Sequence, residues 1–200
     1  EFRRVLFRSR TGDIVGSEGA VTLITTGDFE NRSVDATAPA LIYGTEDDVV
    51  VHSAGNINNY SGQILSNTKV QLYSGGEIGN VVEKTFNPDD GHFEEYAYKD
   101  DSVFFKKTKV KGRRVQFGEL LVPGAGAFIT AKEAVILRAG EAINNVGGEI
   151  YATDGDITIH GSHLQNDLVQ AGSAFVETRC NWFCRELGSS NLTAQGGVIR

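Results

Sequence analysis

Clusters of carboxylates are the side chains of this sequence that could most directly do chemistry. Glu46-Asp47-Asp48 and Asp89-Asp90 could bind calcium, or act as acid and base in a carbohydrate-cleaving enzyme. The first group falls at a predicted corner between strands, where carboxylates are usually only solvated. Thr153-Asp154-Gly155-Asp156 is similar to one unit of a calcium-binding Gly-Asp repeat, but it occurs once and not in tandem. We therefore predict no catalytic residue, no metal site and no cofactor.

The histidines and cysteines lack the spacing of a metal or redox centre. Zinc sites combine closely spaced His, Cys and Asp ligands, and none of the four histidines belongs to such a pattern. These histidines are His52, His92, His160 and His163. The sequence also lacks a Gly-Lys-Ser/Thr phosphate loop, a Gly-x-Ser-x-Gly elbow and a His-Glu-x-x-His helix. These observations favour a protein that is not an enzyme.

The segment Cys180-Asn-Trp-Phe-Cys184 is the most specific local feature of the C-terminal part. Its spacing is not the Cys-x-x-Cys of redox and zinc motifs. In an exported protein the segment predicts a small disulfide loop that presents Trp182 and Phe183. In a cytosolic protein the two thiols would stay free.

The composition is that of a folded chain. Of its 200 residues 40% are hydrophobic and 22% are charged, which is enough apolar material for a sizeable core. The formal net charge of −7 argues against a general binder of nucleic acid or of anionic membranes, because either would need a basic surface. No apolar run approaches the roughly 18 residues that span a bilayer. We predict no nucleic-acid partner and no membrane span.

Residues 1–9, EFRRVLFRS, share nothing with the repeats that follow. They are similar to the in-frame translation of a common sequencing-library adapter, and we predict that they are not native. The alternative is an ordinary basic N-terminal arm. On the first interpretation residues 10–200 are the native part, the true N-terminus lies elsewhere, and the lack of a signal peptide carries no information.

The stretch Val49–Asn80 contains one short phrase twice. Apolar residues, a glycine and an asparagine at positions 49, 51, 55, 57 and 59 recur in the same order 21 residues later. A weaker copy occupies Val21–Asn31, which lies 28 residues before the Val49 copy, and further copies occupy Ile143–Asn166. Repetition at a short fixed period is typical of a chain that stacks similar turns.

Each copy predicts three short strands. Apolar and polar residues alternate in Thr68–Ser74 and in Gly155–Gly161, as in strands with one buried face. One copy holds strands near Gln63–Leu65, Val70–Leu72 and Glu77–Ile78, separated by residues that favour turns. Three strands and three corners in about 21 residues describe one turn of a parallel β-helix.

One asparagine follows the last apolar residue of every copy. Stacked asparagines at a corner can pass amide hydrogen bonds from turn to turn. We predict such a ladder rather than a glycan or metal site, because the position recurs in every copy. Its members are Asn31, Asn59, Asn80, Asn145 and Asn166.

The repeat is interrupted by an insertion at residues 82–127. An acidic segment is followed there by the basic run Lys106–Arg114, and the charges and aromatic residues alternate. We predict a β-hairpin that leaves the β-helix, with its turn at Asp100-Asp101. This turn would place Glu95 opposite Lys106, Glu94 opposite Lys107 and Tyr96 opposite Phe105. The candidate contact surface comprises Tyr96, Tyr98, Phe104 and Phe105.

The repeats GNINNYSGQILSNTKVQLYSGGEIGN and AGEAINNVGGEIYATDGDITIHGSHLQN resemble the haemagglutinin repeats of filamentous haemagglutinin-type exoproteins. That family includes adhesins and contact-dependent growth inhibition proteins, which are exported by two-partner secretion. The resemblance covers most of residues 11–80 and 128–200. It implies that residues 10–200 are a fragment of a longer right-handed parallel β-helix, the shaft of a secreted or outer-membrane surface protein. The implied partners are an outer-membrane transporter, bound through a domain absent here, and a receptor on a host or neighbouring cell.

Two other classes of function stay open on the sequence. A β-helical polysaccharide lyase or hydrolase would need charged side chains that converge on one face across adjacent turns. A stand-alone surface binding module would use the hairpin at Phe86–Phe117 as its contact surface.

Overall fold

The fold contains only β-strands, turns and irregular segments in the part of the chain that the structure describes. The structure is a computed structural model, and it describes residues 7–10, 12–103 and 106–200. The predicted all-β class is therefore confirmed, and three of the five sheets are parallel. Within the described residues no helix is long and apolar enough to cross a membrane.

Three parallel sheets carry the repeats. Sheet 1 contains, in spatial order, β1 (Phe7–Arg10), β4 (Phe29–Arg32), β7 (Ile57–Tyr60), β10 (Ile78–Val81), β15 (Ala142–Val146) and β18 (His163–Asp167). Sheet 2 contains β2 (Asp13–Gly16), β5 (Leu41–Gly44), β8 (Gln63–Ser66), β13 (Phe128–Ala131), β16 (Glu149–Ala152) and β23 (Val198–Ile199). Sheet 3 contains β3 (Val21–Thr25), β6 (Val49–Ser53), β9 (Lys69–Ser74), β14 (Ala134–Ala139) and β17 (Asp156–His160).

Consecutive strands of these sheets follow a fixed rotation. The chain passes from sheet 1 to sheet 2 to sheet 3 and returns to sheet 1, where the new strand pairs in parallel with the previous one. The pairing register reproduces the sequence repeat, since Val49 lies opposite Val70 and Ile57 lies opposite Ile78. The equivalence of these positions, predicted from the offset of 21 residues, is confirmed. The arrangement is compatible with a parallel β-helix.

The alternation of apolar and polar residues decides which side chains form the core. In β8 and β9 every second residue is buried, and the buried set includes Ile64, Val70 and Leu72, each with no exposed surface. These residues join the corresponding side chains of neighbouring strands in one hydrophobic cluster. Full burial of a Val, Leu or Ile side chain contributes roughly 1.5–3 kcal/mol, so the stacked inward positions are the main stabilising feature of these sheets.

The chain divides into two compact units. Unit 1 comprises Glu1–Glu83, Leu121–Val169 and Gln195–Arg200, and it holds the three parallel sheets. Unit 2 comprises Lys84–Leu120 and Gln170–Ala194. A separate two-stranded sheet joins β19 (Val169–Ala171) and β22 (Thr193–Gln195).

Unit 2 is a four-stranded antiparallel sheet. Its strands, in spatial order, are β11 (Phe93–Val103), β12 (Lys106–Gln116), β20 (Ser173–Cys180) and β21 (Cys184–Ser190). The hairpin predicted within residues 82–127 is present as β11 and β12. It does not stand alone, because β20 and β21 form a second hairpin that extends the same sheet. The repeat pattern did not predict this second hairpin.

The register predicted for the first hairpin was wrong. Glu94 lies opposite Arg114 and Glu95 lies opposite Arg113, whereas the predicted partners were Lys107 and Lys106. Tyr96 lies opposite Gly112 rather than Phe105. The strands continue past the predicted turn, since the two acidic residues at 100–101 belong to β11 and Lys106 lies opposite Val103. The longer strands keep opposite charges paired, with Arg113 bonded to Glu95 at 2.8 Å and Arg114 to Glu94 at 2.6 Å.

The segment predicted to be adapter-derived takes part in sheet 1 through its last residues. Phe7 lies opposite Phe29 and Ser9 lies opposite Asn31, and the two phenyl rings stack at 5.3 Å between centroids. A parallel edge strand offers its backbone groups to any extended segment that follows its register. The origin of residues 1–9 stays a prediction.

Candidate functional site

The five predicted asparagines form one continuous series of side-chain hydrogen bonds in sheet 1. Each amide nitrogen donates to the amide oxygen of the next asparagine along the sheet, from Asn31 to Asn59, Asn80, Asn145 and Asn166, at 2.9, 2.8, 2.8 and 2.7 Å. The same nitrogens also donate to backbone carbonyls, such as that of Gly148 from Asn145 at 3.0 Å. The first four side chains are almost completely buried. The ladder therefore satisfies polar groups that burial would otherwise penalise.

Two positions beside the ladder require glycine, because the backbone there passes very close to the side-chain amides of the ladder. A Cβ added to Gly148 would lie 2.3 Å from Nδ2 of Asn80 and 2.7 Å from Oδ1 of Asn145. A Cβ added to Gly62 would meet the amides of Asn31 and Asn59 at 2.5 and 2.6 Å. Glycine is thus the only residue that lets the backbone of sheet 2 approach the ladder amides.

The ladder has an unsatisfied end at Asn31. Its Oδ1 atom is buried and has no hydrogen-bond partner among the described residues. The residue opposite it in β1 is Ser9, whose hydroxyl donates instead to the carbonyl of Gly12 at 3.4 Å. Serine is too short to continue the amide series.

Each of the two acidic clusters contains a carboxylate that accepts hydrogen bonds from neighbouring chain segments, at a corner of unit 1 and between loops of unit 2. Oδ1 of Asp48 accepts hydrogen bonds from the Thr68 hydroxyl at 2.8 Å and from the Lys69 backbone at 3.2 Å. Its Oδ2 accepts from the Gln71 amide at 2.8 Å. In unit 2, Asp90 pairs with Lys84 and accepts a hydrogen bond from the Gly118 backbone. Both carboxylates thus hold neighbouring chain segments together.

The histidines are not brought together at a metal site. His52 stacks on Tyr73 with 4.6 Å between ring centroids, in sheet 3. His160 is in β17 and His163 begins β18, so the two belong to different sheets. Among the described residues, no group of three His, Cys, Asp or Glu side chains could hold a metal ion.

A cleft on one face of the unit 2 sheet is a candidate binding site. It has a volume of about 540 Å³, a size that suits a small ligand or one or two projecting groups of a larger one. Three strands contribute aromatic and charged side chains to its lining, which includes Tyr96, Tyr98, Arg114, Phe175, Glu177 and Arg179. Side chains on alternate positions of a strand share a face, which explains how Phe175, Glu177 and Arg179 reach one surface.

Hydrogen bonds fix the floor of this cleft. Glu177 is buried, accepts the Tyr96 hydroxyl at 3.1 Å and is paired with Arg179. Burial and, next, the hydrogen bond to Glu177 raise the pKa of the Tyr96 hydroxyl above its ordinary value of 10.0. Tyr96 is therefore a protonated donor at neutral pH, and its ring lies 6.2 Å from that of Tyr98 in a stacked arrangement. The cleft offers ring faces beside fixed polar groups, which suits non-covalent recognition.

The predicted contact residues fall in two groups. Tyr96 and Tyr98 lie together in the cleft. Phe104 and Phe105 lie outside the described residues. The sequence-based prediction missed Phe175, Glu177 and Arg179, although the alternating pattern in SAFVETRC, which ends at Cys180, is typical of a strand.

Cys180 and Cys184 are joined by a disulfide, with their Cα atoms 4.1 Å apart. They close the turn between β20 and β21 and leave Trp182 and Phe183 at its tip, with 86% and 82% of their surface exposed. The described residues contain no free cysteine. The sequence left a disulfide and free thiols open, and the structure has the disulfide.

Comparisons of the chain with protein-family models, with curated proteins and with solved structures found no significant match. The resemblance to haemagglutinin repeats therefore rests on the repeat residues themselves.

Proposed function

We propose that this chain is a shaft segment of a large secreted or outer-membrane surface protein of the filamentous haemagglutinin type. Unit 1 would be a right-handed parallel β-helix and part of a longer array, and it would act as a spacer rather than as an enzyme. The observation that carries this proposal is the asparagine ladder, which links five successive strands of sheet 1. A ladder of this kind lets each added turn be templated by the turn before it, which suits a long repetitive structure.

Unit 2 supplies the contact surface in this proposal. A plain spacer has no need of a cleft with a buried carboxylate and ordered aromatic rings, so the cleft around Tyr96 and Tyr98 is where a receptor on a host or neighbouring cell would bind. Export would use an outer-membrane transporter of two-partner secretion, through a domain outside this sequence. Whether the parent protein is an adhesin or carries a toxin does not alter this role.

The alternative of a carbohydrate-cleaving β-helix gains no support from a specific observation. Such an enzyme needs a pair of carboxylates that flank the scissile bond, one of them free to donate a proton. Asp48, the best candidate in unit 1, is held by three hydrogen bonds from Thr68, Lys69 and Gln71. These bonds favour a structural carboxylate.

Binding of the purified chain to target cells tests the proposal. The double variant Tyr96→Ala/Tyr98→Ala should lose at least about tenfold in affinity, since aromatic anchors in a cleft dominate such contacts. Phe86→Ala is the matched control, because Phe86 is 91% exposed in unit 2 and does not line the cleft. If the double variant is folded and binds as well as the control, the cleft is not the receptor-binding site.

A further inference from the structure

The disulfide loop of unit 2 exposes a large apolar surface that binding would remove from water. Trp182 and Phe183 are adjacent and project from the turn with more than four fifths of their surface exposed. Large exposed apolar side chains side by side mark interaction sites more often than chance. The disulfide between Cys180 and Cys184 fixes the ends of the loop, so little conformational entropy is lost when its tip is bound.

The backbone amide groups of the tip form hydrogen bonds within the loop. The side-chain oxygen of Asn181 accepts the amide hydrogens of Trp182 at 2.6 Å and Phe183 at 3.3 Å. The amide of Asn181 itself donates to the carbonyl of Phe183 at 3.2 Å. All three tip amides thus have acceptors within the loop. Every unpaired backbone group adds a penalty when a turn moves into an apolar medium, and the pairing of these three amides removes the share that the N–H donors would contribute.

A cluster of lysines lies beside the tip on one face of the sheet. Lys109 is opposite Cys180 in the β12–β20 pair, and Lys99 is opposite Lys109 in the β11–β12 pair. Lys111 follows two positions later, so that all three share the face that carries the disulfide. None of the three has an ion pair with any residue in the described ranges. Like charges directly opposite each other are destabilising, and an external anion would relieve that repulsion.

The charge of the chain is also unevenly divided. The two segments of unit 2 contain ten Lys and Arg and nine Asp and Glu, a net charge of +1, against −7 for the whole sequence. The remaining segments therefore carry −8. The negative total, which argued against binding to anionic membranes, reflects unit 1 alone.

We propose that the loop Cys180–Cys184 is a membrane-docking tip. Trp182 and Phe183 enter the interface of an anionic phospholipid bilayer, and the lysine face, Lys99, Lys109 and Lys111, binds the phosphate headgroups. Tryptophan is the side chain most typical of the membrane–water interface, and adjacent lysines are attracted to anionic lipid. An apolar pocket in a partner protein would use the aromatic pair but leave the unpaired lysine face unexplained, which favours the lipid surface. The inference does not rest on the proposed function, since it uses neither the cleft nor the repeats.

The sequence supplies a direct probe, because Trp182 is its single tryptophan. The purified chain is titrated with vesicles of phosphatidylcholine, either alone or mixed with phosphatidylglycerol, and the fluorescence is recorded. With anionic vesicles we expect a blue shift of the emission and quenching by brominated acyl chains. With neutral vesicles we expect both effects to be at least about tenfold weaker at equal lipid, and high salt should abolish most of the difference.

Variants separate the contribution of the aromatic tip from that of the lysine face. Phe183→Ser keeps the tryptophan probe and should weaken partitioning about tenfold. Lys99→Gln and Lys109→Gln should each weaken it roughly fivefold, for anionic vesicles only. The matched controls are Phe86→Ser and Arg113→Gln, since Phe86 is 91% exposed elsewhere in unit 2 and Arg113 shares the lysine face but is paired with Glu95. Because every altered side chain is exposed, circular dichroism should show unchanged folding.

Several outcomes would overturn the proposal. Tryptophan emission that stays unshifted with anionic vesicles would remove it outright. Equal partitioning into neutral and anionic vesicles would remove the role of the lysine face, and equal losses in the control variants would remove the role of the tip. Binding to cells that depends on Trp182 and Phe183 without binding to vesicles would assign the tip to a protein pocket instead.

Discussion

Four asparagine side chains are buried within unit 1, although asparagine is normally a surface residue. Each of Asn31, Asn59, Asn80 and Asn145 uses its amide nitrogen for the next asparagine and for nearby carbonyls. A buried amide group costs free energy when it is left unpaired, so each member depends on its neighbours in the ladder. The cost of a substitution should therefore be larger than that of one hydrogen bond.

Asn80→Ala tests this dependence. The change removes the donor to Asn145 and leaves the Nδ2 donor of Asn59 without its ladder acceptor. We expect the free energy of unfolding to fall by about 3 kcal/mol, measured by urea denaturation. Asn58→Ala is the control. Asn58 precedes the ladder residue Asn59 in β7, but its side chain lies on the opposite face of the strand and is only half-buried. A similar loss in both variants would show that the ladder has no special role.

Ser9→Asn tests the unsatisfied end of the ladder. An asparagine opposite Asn31 can donate to the buried Oδ1 atom that now lacks a partner. We expect a gain of about 1 kcal/mol in the free energy of unfolding. Ser9→Ala cannot donate and should give no gain. If the two variants have the same stability, the orphaned oxygen is not what limits this end of the sheet.

At the scale of elements, the loops that lead into and out of the β11–β12 hairpin are joined by one carboxylate. Asp90 accepts the backbone amide of Gly118 at 2.8 Å and is paired with Lys84. The hydrogen bond from Lys84 first, and then that from Gly118, hold the pKa of Asp90 below its ordinary value of 3.8. The carboxylate thus holds the two loops together more strongly when it is ionised.

This lowered pKa predicts an acid-dependent loss of stability in unit 2. A carboxyl whose pKa is lower in the folded state stabilises the fold fully above the unfolded value of 3.8. The contribution disappears as the pH falls through the lower, folded value. Urea midpoints at neutral pH and at about pH 2.5 should therefore differ more for the original chain than for Asp90→Asn.

Asp89→Asn is the matched control for this prediction, because Asp89 has no ion pair with any residue in the described ranges. An acid dependence that survives Asp90→Asn in full would show that other carboxylates govern it.

At the scale of the molecule, the rotation through three sheets makes unit 1 modular. Each turn pairs mainly with the turns before and after it, as shown by the register of β7 with β4 and β10. In such a structure stability is close to a sum over neighbouring turns. Insertions that start and end at the same corner are tolerated, which is how residues 84–120 can leave unit 1 without breaking its sheets.

Deletion of one complete turn tests this modularity. Removal of residues 57–77 joins Asn56 to Ile78 and lets β10 pair with β4, so that the ladder runs from Asn31 to Asn80. We expect a folded chain whose urea m-value is lower by roughly a tenth, in proportion to the buried surface removed. Removal of residues 57–67 takes out β7 and β8 but keeps β9, which interrupts the rotation and should prevent cooperative folding. If the two deletions behave alike, the turn is not the folding unit.

The repeat of unit 1 was predictable because its information is local and periodic. The offset of 21 residues fixed which residues lie opposite each other, and Val49 with Val70 and Asn59 with Asn80 are in register as expected. The alternation within each copy fixed which side chains are buried. The sequence did not decide whether Cys180 and Cys184 form a disulfide, since cysteine spacing alone does not set the redox state.

The sequence by itself therefore determined the all-β class, the repeating strands and the ladder positions. These features follow from the alternation of apolar and polar residues and from the constant offset of 21 residues, and both can be observed in the sequence directly. Only the tertiary structure decided the register of the β11–β12 hairpin and its pairing with β20 across some 60 residues of chain, as in Arg113 opposite Val176. That pairing depends on which long-range strand edges meet, and edges carry no periodic signal. The cleft and the lysine face beside Trp182 both arise from it, so they could not be predicted from the sequence.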